Sequence, residues 1–360
     1  MKQYMQHAIQ LAKYADGQTG VNPLVGAVVV KDDRIVGFGA HLKAGEPHAE
    51  VHAIQMAGAS AYGSTVYVTL EPCSHHGKTP PCADLLIESG VRRVVIAMED
   101  PNPLVAGRGI ARLKAAGIEV EVGLLEREAR TLNPAFLRSL ETKRPYVILK
   151  TATSLDGKVA LETGESKWVT GTEARLDVHT LRANVDAVLT GIGTVMADDP
   201  ALTVRLDRPT GQPRRVVLDR ELNVPHESQL VRTANEVPVL VYTTSDDDAR
   251  RAALESRGVE LADYTTLEHV LEDVYARGVG RLLIEAGPTL VTSLLDGGYI
   301  DEWVMYQSPR VFGGKAGFYR SHHDGPLDAI EHFDIRSVET IGNDIKLIMR
   351  KGESNVHGNR

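Results

Sequence analysis

Short apolar runs alternate with amphipathic stretches over the first 145 residues. The apolar and β-branched runs predict strands, whereas stretches with apolar residues every three or four positions predict helices. The predicted strands are Val25–Lys31, Arg34–Gly39, Thr65–Leu70, Arg93–Met98 and Ile118–Val122. The predicted helices are Met1–Ala15, Ala49–Ala57, Ala83–Ser89, Ile110–Ala116 and Glu126–Glu141. This alternation is typical of an α/β domain in which helices cover a sheet.

The alternation resumes after Pro145 with a new set of elements. The predicted strands are Tyr146–Thr151, Ala187–Thr190, Val216–Leu218, Val237–Tyr242, Leu282–Ile284, Trp303–Tyr306 and Ile345–Met349. The predicted helices are Glu173–Leu181, Asp248–Ser256, Leu267–Ala276 and Thr289–Leu295. A length of 360 residues also suggests two domains, because a domain averages about 150 residues. We place the boundary at Lys143-Arg144-Pro145 and expect domains at residues 1–145 and 146–360.

Composition narrows the class of protein. Hydrophobic residues make up 42% of the chain and charged residues 24%, which is typical of a soluble globular protein. The net charge of −8 argues against a nucleic-acid partner. Residues 1–145 carry 16 Lys and Arg against 15 Asp and Glu, and residues 146–360 carry 24 against 33, so the acidic excess belongs to the second domain. The chain has no apolar run of spanning length and no signal peptide, so we expect a cytoplasmic protein without a membrane partner.

The two cysteines belong to a pattern that predicts a zinc site. His48-Ala49-Glu50 precedes a predicted helix, Pro72-Cys73 follows a predicted strand, and Cys82 comes nine positions later. A His-x-Glu motif followed by Pro-Cys and a second Cys is the signature of zinc deaminases. One imidazole and two thiolates leave the fourth position of Zn²⁺ open for water, which the metal acidifies to a nucleophilic hydroxide. Glu50 is then the residue expected to carry protons to the ring nitrogen and the departing amine.

Two other interpretations of these residues stay open. His48, Cys73 and Cys82 could be core residues without a metal, since free cysteine packs as a small hydrophobic residue. A structural zinc site would need a fourth ligand, and His75 or His76 could supply it. Eight residues separate the cysteines where the usual deaminase signature has two, so the loop between them must bulge and return.

Further residues indicate the kind of substrate. Several cationic or potentially cationic groups lie near the predicted site, which suggests an anionic substrate group such as a phosphate. These groups are His41, Lys43, His75, His76 and Lys78, of which Lys43 is expected to be a solvated surface residue. Asn22 could read a heterocycle edge. Asp100 and Asn102 follow a strand end, where ligands of α/β sheets bind, and could contact sugar hydroxyls or serve only as turn residues.

The second half contains weaker signals for a cofactor. Gly191-Ile192-Gly193 follows a predicted strand, but Met196 breaks the dinucleotide fingerprint. Leu282–Glu285 runs into Ala286-Gly287-Pro288-Thr289 at a predicted helix start, where N–H groups and the helix dipole suit a pyrophosphate. An ordinary turn from strand to helix explains the same residues equally well.

Taken together, these motifs resemble those of the bifunctional riboflavin-biosynthesis deaminase and reductase of bacteria. The resemblance covers nearly the whole chain, and the long loop between the cysteines is its most specific part. In the first half it rests on Asn22-Pro23-Leu24-Val25-Gly26, His48-Ala49-Glu50 and the segment from Pro72 to Cys82. In the second half it rests on Thr153–Lys158, Gly191–Thr194, Asp198-Asp199-Pro200 and Glu285–Leu290.

The resemblance implies a fold and two reactions. The N-terminal domain would be a three-layer α/β/α domain similar to cytidine deaminases and would hydrolyse the 2-amino group of 2,5-diamino-6-(5-phosphoribosylamino)pyrimidin-4(3H)-one. The C-terminal domain would be an α/β domain similar to dihydrofolate reductase and would reduce the ribosyl group to ribityl with NADPH. A homo-oligomer with small-molecule pyrimidine phosphate substrates is expected.

The resemblance also implies site residues. Zinc would be held by His48, Cys73 and Cys82, with Glu50 as the proton carrier, and the deaminase substrate by Asn22, His41, His75, Lys78, Asp100 and Asn102. NADPH would contact Ala152, Trp168, Thr194, Asp198, Gly287, Pro288, Thr289, Leu290, Val291, Thr292 and Ser293. The reductase substrate would contact Ser166, Arg182, Leu202, Arg205 and Glu285.

The physical chemistry of these residues is compatible with the implied roles. Arg182 and Arg205 can bind a phosphate through bidentate forks. Trp168 could equally be a core residue. Ala286 stands where the family usually has glycine, so a methyl group lies where the backbone would meet the cofactor.

Two different functions remain as alternatives. The first is a nucleic-acid (tRNA) editing deaminase with an appended binding domain. The acidic second half argues against it, and so does the absence of a basic, aromatic groove from the sequence of the first half. The second is a zinc scaffold without catalysis, which would require four protein ligands on the metal.

Overall fold

A computed structural model of the chain describes residues 1–43, 45–74, 80–102, 105–207, 211–321 and 332–352. The chain divides into two compact units, Met1–Lys143 and Arg144–Arg360. This division falls two residues before the boundary expected from the sequence.

The first unit contains one five-stranded sheet. Its strands are β1 (Gly26–Lys31), β2 (Arg34–Ala40), β3 (Thr65–Val68), β4 (Arg93–Ile96) and β5 (Glu119–Val122). Its helices are α1 (Lys2–Lys13), α2 (Ala49–Ala57), α3 (Cys82–Glu88), α4 (Arg108–Ala115), α5 (Glu126–Leu132) and α6 (Pro134–Thr142), and a 3-10 turn spans Gly58–Ala61. The strand order is β2-β1-β3-β4-β5. β1 is antiparallel to β2 and β3, whereas β3, β4 and β5 are parallel.

Helices cover both faces of this sheet. One apolar core joins α2, α3 and α4 to one face through residues such as Ala53, Leu86 and Leu113. The other joins α1 and α5 to the opposite face through Met5 and Ala129. The three-layer α/β/α architecture predicted for this half is therefore confirmed.

The predicted single helix Glu126–Glu141 is wrong, because the chain forms two helices that meet at Asn133 and Pro134. Proline disfavours helical backbone in the residue before it, and it suits the first position of a new helix. The buried side chain of Asn133 bonds to both backbone groups of Leu24. These two hydrogen bonds connect the start of α6 to the segment that leads into β1.

The second unit contains a nine-stranded sheet. Its strands are β6 (Tyr146–Thr153), β7 (Ala187–Gly191), β8 (Arg214–Leu218), β9 (Val239–Thr243), β10 (Val259–Asp263), β11 (Arg281–Ile284), β12 (Glu302–Gln307), β13 (Phe333–Ile341) and β14 (Asp344–Lys351). Its helices are α7 (Thr172–Ala183), α8 (Ile192–Asp198), α9 (Gln229–Arg232), α10 (Asp248–Glu255), α11 (Leu267–Ala276) and α12 (Pro288–Asp296). The strand order is β10-β9-β8-β7-β11-β6-β12-β14-β13. All neighbours are parallel except at β14, which is antiparallel to both β12 and β13.

The sequence did not predict β10, β13, α8 and α9. In β13 a register shift between Ile335 and Ser337 interrupts the alternation of apolar and polar positions on which a strand prediction depends. β10 lies at one edge of the sheet and is only five residues long. No helix among the described residues is long and apolar enough to cross a membrane.

Candidate active sites

Three metal-ligand side chains meet in the first unit. His48 lies directly before α2, Cys73 lies in the loop after β3, and Cys82 is the first residue of α3. The Nδ1 atom of His48 is 3.7 Å from the Sγ atom of Cys73 and 3.3 Å from that of Cys82. Ligand atoms of the three residues lie within 4.8 Å of one another. One nitrogen and two sulfurs at this separation fit a single tetrahedral zinc ion.

The electrostatics of this cluster favour a thiolate at Cys73. Its hydrogen bond with Cys82 and the neighbouring imidazole lower the pKa of Cys73 to about 4, although burial opposes them. The backbone N–H of Cys82 also donates to this sulfur, at 3.3 Å. The same contact with Cys73 raises the pKa of Cys82, and hydrogen bonding to Cys73 raises the pKa of His48. A thiolate is the form of cysteine that binds metal, and a bound cation holds both thiols in that form.

Glu50 lies on the first turn of α2, two residues from His48, and is 3% exposed. Its Oε2 atom is buried without a hydrogen-bond partner among the described residues. Burial, together with the negative charge of Cys73, raises the pKa of Glu50 to about 7. A buried carboxyl group with a vacant oxygen fits a group that exchanges protons with a ligand held beside the metal.

The geometry favours a metal site over apolar packing. Three ligand atoms that point at one another are not explained by apolar packing alone. Among the described residues, the cluster has three members. His75 and His76, the possible fourth ligands of a structural site, lie outside the described residues, as does Lys78.

The structure places the predicted substrate residues of the first unit at different depths. His41 is buried, and its ring packs edge-on against His48 with a centroid distance of 5.3 Å. Burial lowers the pKa of His41, which disfavours the charged form of its ring. Asn22 is exposed at the surface, in the turn before β1. Lys43 is exposed, as expected of a solvated residue.

Asp100 and Asn102 lie in the loop after β4. The Oδ1 atom of Asp100 accepts the backbone N–H of Asn102 at 2.9 Å, which is the turn geometry that the sequence left open. The backbone N–H of Asp100 donates to the Oε2 atom of Glu71. The sequence analysis did not single out Glu71, although a charged residue is unusual in the buried segment between β3 and Cys73.

A charged cluster occupies the carboxyl edge of the second sheet. Arg182 on α7 donates from Nε to Oε1 of Glu285 at 2.5 Å and from Nη2 to Oε2 at 3.0 Å. Lys150 on β6 lies 3.1 Å from the same Oε2 atom. Burial of Glu285 opposes its ionisation, but Lys150 and Arg182 outweigh it and lower the pKa of Glu285 to about 2. Lys150 was not predicted from the sequence, because a lysine inside a strand carries no motif of its own.

A second arginine lies beside this cluster. Arg205 is exposed, and its Nη1 atom donates to the hydroxyl of Thr203, whose carbonyl accepts from Arg182. Partial desolvation and the charge of Arg182 lower the pKa of Arg205. Two guanidinium groups that repel each other in the free protein fit an anionic ligand between them.

Of the other residues implied for this substrate, Leu202 is buried and Ser166 is half-buried. Leu202 has a φ of +53°, in the left-handed region that few side chains adopt.

Several of the predicted cofactor residues lie together where β7 and β11 end. The backbone N–H of Gly287 donates to the hydroxyl of Thr194 at 3.1 Å, which joins the turn before α12 to α8. Gly287 is the N-cap of α12, and Pro288 is the first residue of this nine-residue helix. Ala286 packs against the apolar core of the unit, so the core accommodates its methyl group. The N-terminus of α12 and a glycine that precedes it fit an anionic part of a nucleotide.

Trp168 is 60% exposed, which makes its interpretation as a core residue wrong. The guanidinium of Arg175 lies over its ring, 4.7 Å from the centroid. Lys167, next to it, lies 3.6 Å from Oδ1 of Asp198 on α8. Ala152 is half-buried near the end of β6, in register with Tyr306 of β12. An exposed indole beside these groups could stack on a planar ring.

Comparison with known proteins covers both units. Residues 1–98 match the family described as the cytidine and deoxycytidylate deaminase zinc-binding region, and residues 145–347 match the RibD C-terminal domain. The riboflavin biosynthesis protein RibD of Bacillus amyloliquefaciens is 47% identical over 351 residues, which cover 96% of this chain and 94% of that protein.

Solved structures agree with this result. Acinetobacter baumannii RibD (form 1) has 42% identity and a TM-score of 0.89, with coverage of 98% of this chain and 99% of that one. A diaminohydroxyphosphoribosylaminopyrimidine deaminase/5-amino-6-(5-phosphoribosylamino)uracil reductase from Thermotoga maritima has 38% identity and a TM-score of 0.85, with 98% of both chains covered. These relatives favour a biosynthetic enzyme over an editing deaminase. The chain belongs to the RibD family and is a bifunctional deaminase and reductase of riboflavin biosynthesis.

Proposed function

We propose that each unit carries one of two successive reactions. Residues 1–145 deaminate 2,5-diamino-6-(5-phosphoribosylamino)pyrimidin-4(3H)-one, and residues 146–360 reduce the ribosyl group of the product to ribityl with NADPH. The convergence of His48, Cys73 and Cys82 beside the buried carboxyl of Glu50 is the observation that carries the first assignment. The charged cluster of Arg182, Lys150 and Glu285 supports the second.

The deamination depends on proton transfer by Glu50. His48, Cys73 and Cys82 would hold zinc, which supplies an activated water at neutral pH. Glu50 would take a proton from the water as the water oxygen bonds to the amino-bearing carbon, and would give this proton to the adjacent ring nitrogen. Glu50 would then carry the proton of the newly bound hydroxyl group to the amine, so that the carbon–nitrogen bond breaks, a carbonyl group forms and ammonia leaves. Burial holds the pKa of Glu50 at about 7, so this carboxyl group can both accept and release a proton near neutral pH.

The substrate of the first unit is held by residues around the metal ligands. The ring of His41, beside His48, and the Asp100–Asn102 loop would bind the pyrimidine and its sugar phosphate. Asn22, His75 and Lys78 are assigned to the same substrate on the strength of the family resemblance.

The second unit binds a phosphate and orients a hydride transfer. Arg182 and Arg205 would share the substrate phosphate, because both are cationic and both contact Thr203. Ser166, Leu202 and Glu285 complete the substrate contacts.

The NADPH site would lie at the same edge of the sheet. The pyrophosphate would lie at the N-terminus of α12, with the other cofactor contacts at Ala152, Trp168, Thr194, Asp198 and residues 287–293. NADPH itself supplies the hydride, so these residues act by binding and orientation.

A coupled assay tests both assignments. The diaminopyrimidine phosphate is added to the zinc-loaded protein, and ammonia and NADPH are followed together. Ammonia release without NADPH, and NADPH oxidation only after deamination, are the expected results. NADPH oxidation with the undeaminated substrate at the same rate would contradict the order of the two reactions.

We also propose that the protein is a cytoplasmic homo-oligomer that acts on small molecules. The edge strand β13 supports self-association, because Ile335 and Val338 are more than half exposed on it. Light scattering on the purified protein tests this, and a monomer at micromolar concentration would contradict it.

Salt-sensitive binding to tRNA would revive the editing alternative.

A further inference from the structure

The carboxylate of Glu71 is buried in the first unit, with 4% of the residue exposed. It accepts four backbone N–H groups from a single stretch of chain. Oε2 accepts from Asp100 at 3.2 Å and Gly107 at 3.0 Å, and Oε1 accepts from Gly109 at 2.8 Å and Ile110 at 3.1 Å. A carboxylate offers about four acceptor sites, so the loop after β4 and the first turn of α4 occupy all of them.

The surrounding sequence makes room for this contact. Gly107 has a φ of +72°, in the left-handed region that favours glycine. A Cβ atom on Gly109 would lie 2.0 Å from the carbonyl oxygen of Pro72. Both glycines are therefore required for α4 to begin against the segment that carries Glu71.

This side chain joins two parts of the proposed deaminase site. Glu71 precedes Pro72 and the metal ligand Cys73, and its backbone N–H donates to the carbonyl of Met98, two residues after β4. The loop it holds carries Asp100 and Asn102. Because Asp100 and Gly107 bind the same carboxylate oxygen, the loop is closed at both ends by one group.

We propose that Glu71 is a positioning residue for the deaminase substrate, which fixes the Asp100–Asn102 loop relative to the metal ligand Cys73. This inference rests on the proposed substrate role of Asp100 and Asn102. A helix cap alone would use only the N–H groups of Gly109 and Ile110. The additional bonds to Asp100 and Gly107 point to the loop as the group being held.

The substitution Glu71→Gln tests the proposal. The amide keeps one acceptor oxygen, but its NH₂ group is a donor and cannot accept the two backbone N–H groups that it would face. We expect KM for the diaminopyrimidine phosphate to rise about tenfold, with kcat for ammonia release within about twofold of the wild type. Zinc content and reductase activity stay unchanged. Glu88→Gln, an exposed residue on α3, is the matched control and leaves all four quantities unchanged.

A double-mutant cycle separates positioning from general stability. If Glu71 acts through the loop, adding Asp100→Ala to Glu71→Gln raises KM by less than the product of the two single effects. Independent effects on KM would overturn the proposal. So would a loss of zinc or kcat with KM unchanged, because Glu71 would then act on Cys73 alone.

Hydrogen exchange tests the contact without catalysis. Mass spectrometry of peptides that cover residues 99–112 should show slow exchange in the wild type and faster exchange in Glu71→Asp, which keeps the charge on a shorter side chain. Fast exchange of these amides in the wild type would overturn the proposal. Failure of the wild type to deaminate the substrate would instead contradict the proposed function, so the two failures are distinguishable.

Discussion

The guanidinium of Arg182 binds both carboxylate oxygens of Glu285, and the two side chains bring α7 to the end of β11. Lys150 adds a second positive charge to the same buried carboxylate. Loss of either side chain would leave the other as a buried charge with one partner fewer. The placement of the proposed phosphate ligand is therefore coupled to the stability of the unit.

The stability of the second unit should therefore depend on Glu285 at acid pH. Its pKa lies at about 2 in the folded protein, below the ordinary 4.5, so its contribution is present above pH 4.5 and is lost as pH falls toward 2. Glu285→Gln should lower the free energy of unfolding at pH 7 by about 3 kcal/mol. The difference from the wild type should narrow between pH 4.5 and 2.

Denaturant unfolding followed by tryptophan fluorescence measures this difference, because both tryptophans, Trp168 and Trp303, lie in the second unit. Glu272→Gln, an exposed residue on α11, is the control and should leave the unfolding midpoint unchanged. A constant difference between wild type and Glu285→Gln from pH 7 to pH 3 would contradict the ion pair.

The two cysteines offer a direct count of metal ligands. Cys73 and Cys82 are the only cysteines in the chain. A thiol reagent should therefore react with neither of them in the zinc-loaded protein and with both after chelation. Chelation should abolish ammonia release and leave the reductase active, and added zinc should restore the first activity. Two reactive thiols in a zinc-loaded, active protein would contradict the assigned ligands.

Asn133 should stabilise the first unit through its two bonds to Leu24. Asn133→Ala leaves a buried backbone N–H and C=O without these partners, so the free energy of unfolding should fall by about 2–4 kcal/mol. Calorimetry of the first unit measures the shift, with the exposed Gln10→Ala on α1 as the control. An equal shift in both variants would show that the contact contributes nothing specific.

Arg205 should act in the binding of the reductase substrate. Arg205→Ala removes one of two guanidinium groups proposed for the phosphate, so KM for this substrate should rise about tenfold to a hundredfold. KM for NADPH should stay unchanged, and inorganic phosphate should become a weaker inhibitor. Arg257→Ala, which removes an exposed arginine paired with Glu227, serves as the control. An increase confined to KM for NADPH would refute the assignment.

Much of the fold and the metal site could be predicted from the sequence. His48, Glu50 and Cys73 lie beside predicted elements, and local spacing therefore placed them at one sheet edge. Glu71 and Lys150 could not be found in this way, because their roles depend on chain segments 29 and 135 residues away, at Asp100 and Glu285. β13 was missed for a local reason, since its bulge removes the period of two.

The central claim is that two independent sites perform the two reactions, and Glu50→Gln tests it most directly. The variant keeps the size of the buried side chain and removes its ability to carry protons. Ammonia release from the diaminopyrimidine phosphate should fall by about 100-fold to 10,000-fold at unchanged zinc content. NADPH oxidation with the deaminated sugar phosphate should proceed at the wild-type rate. Loss of both activities in a folded, zinc-loaded variant, or retention of ammonia release, would contradict the account.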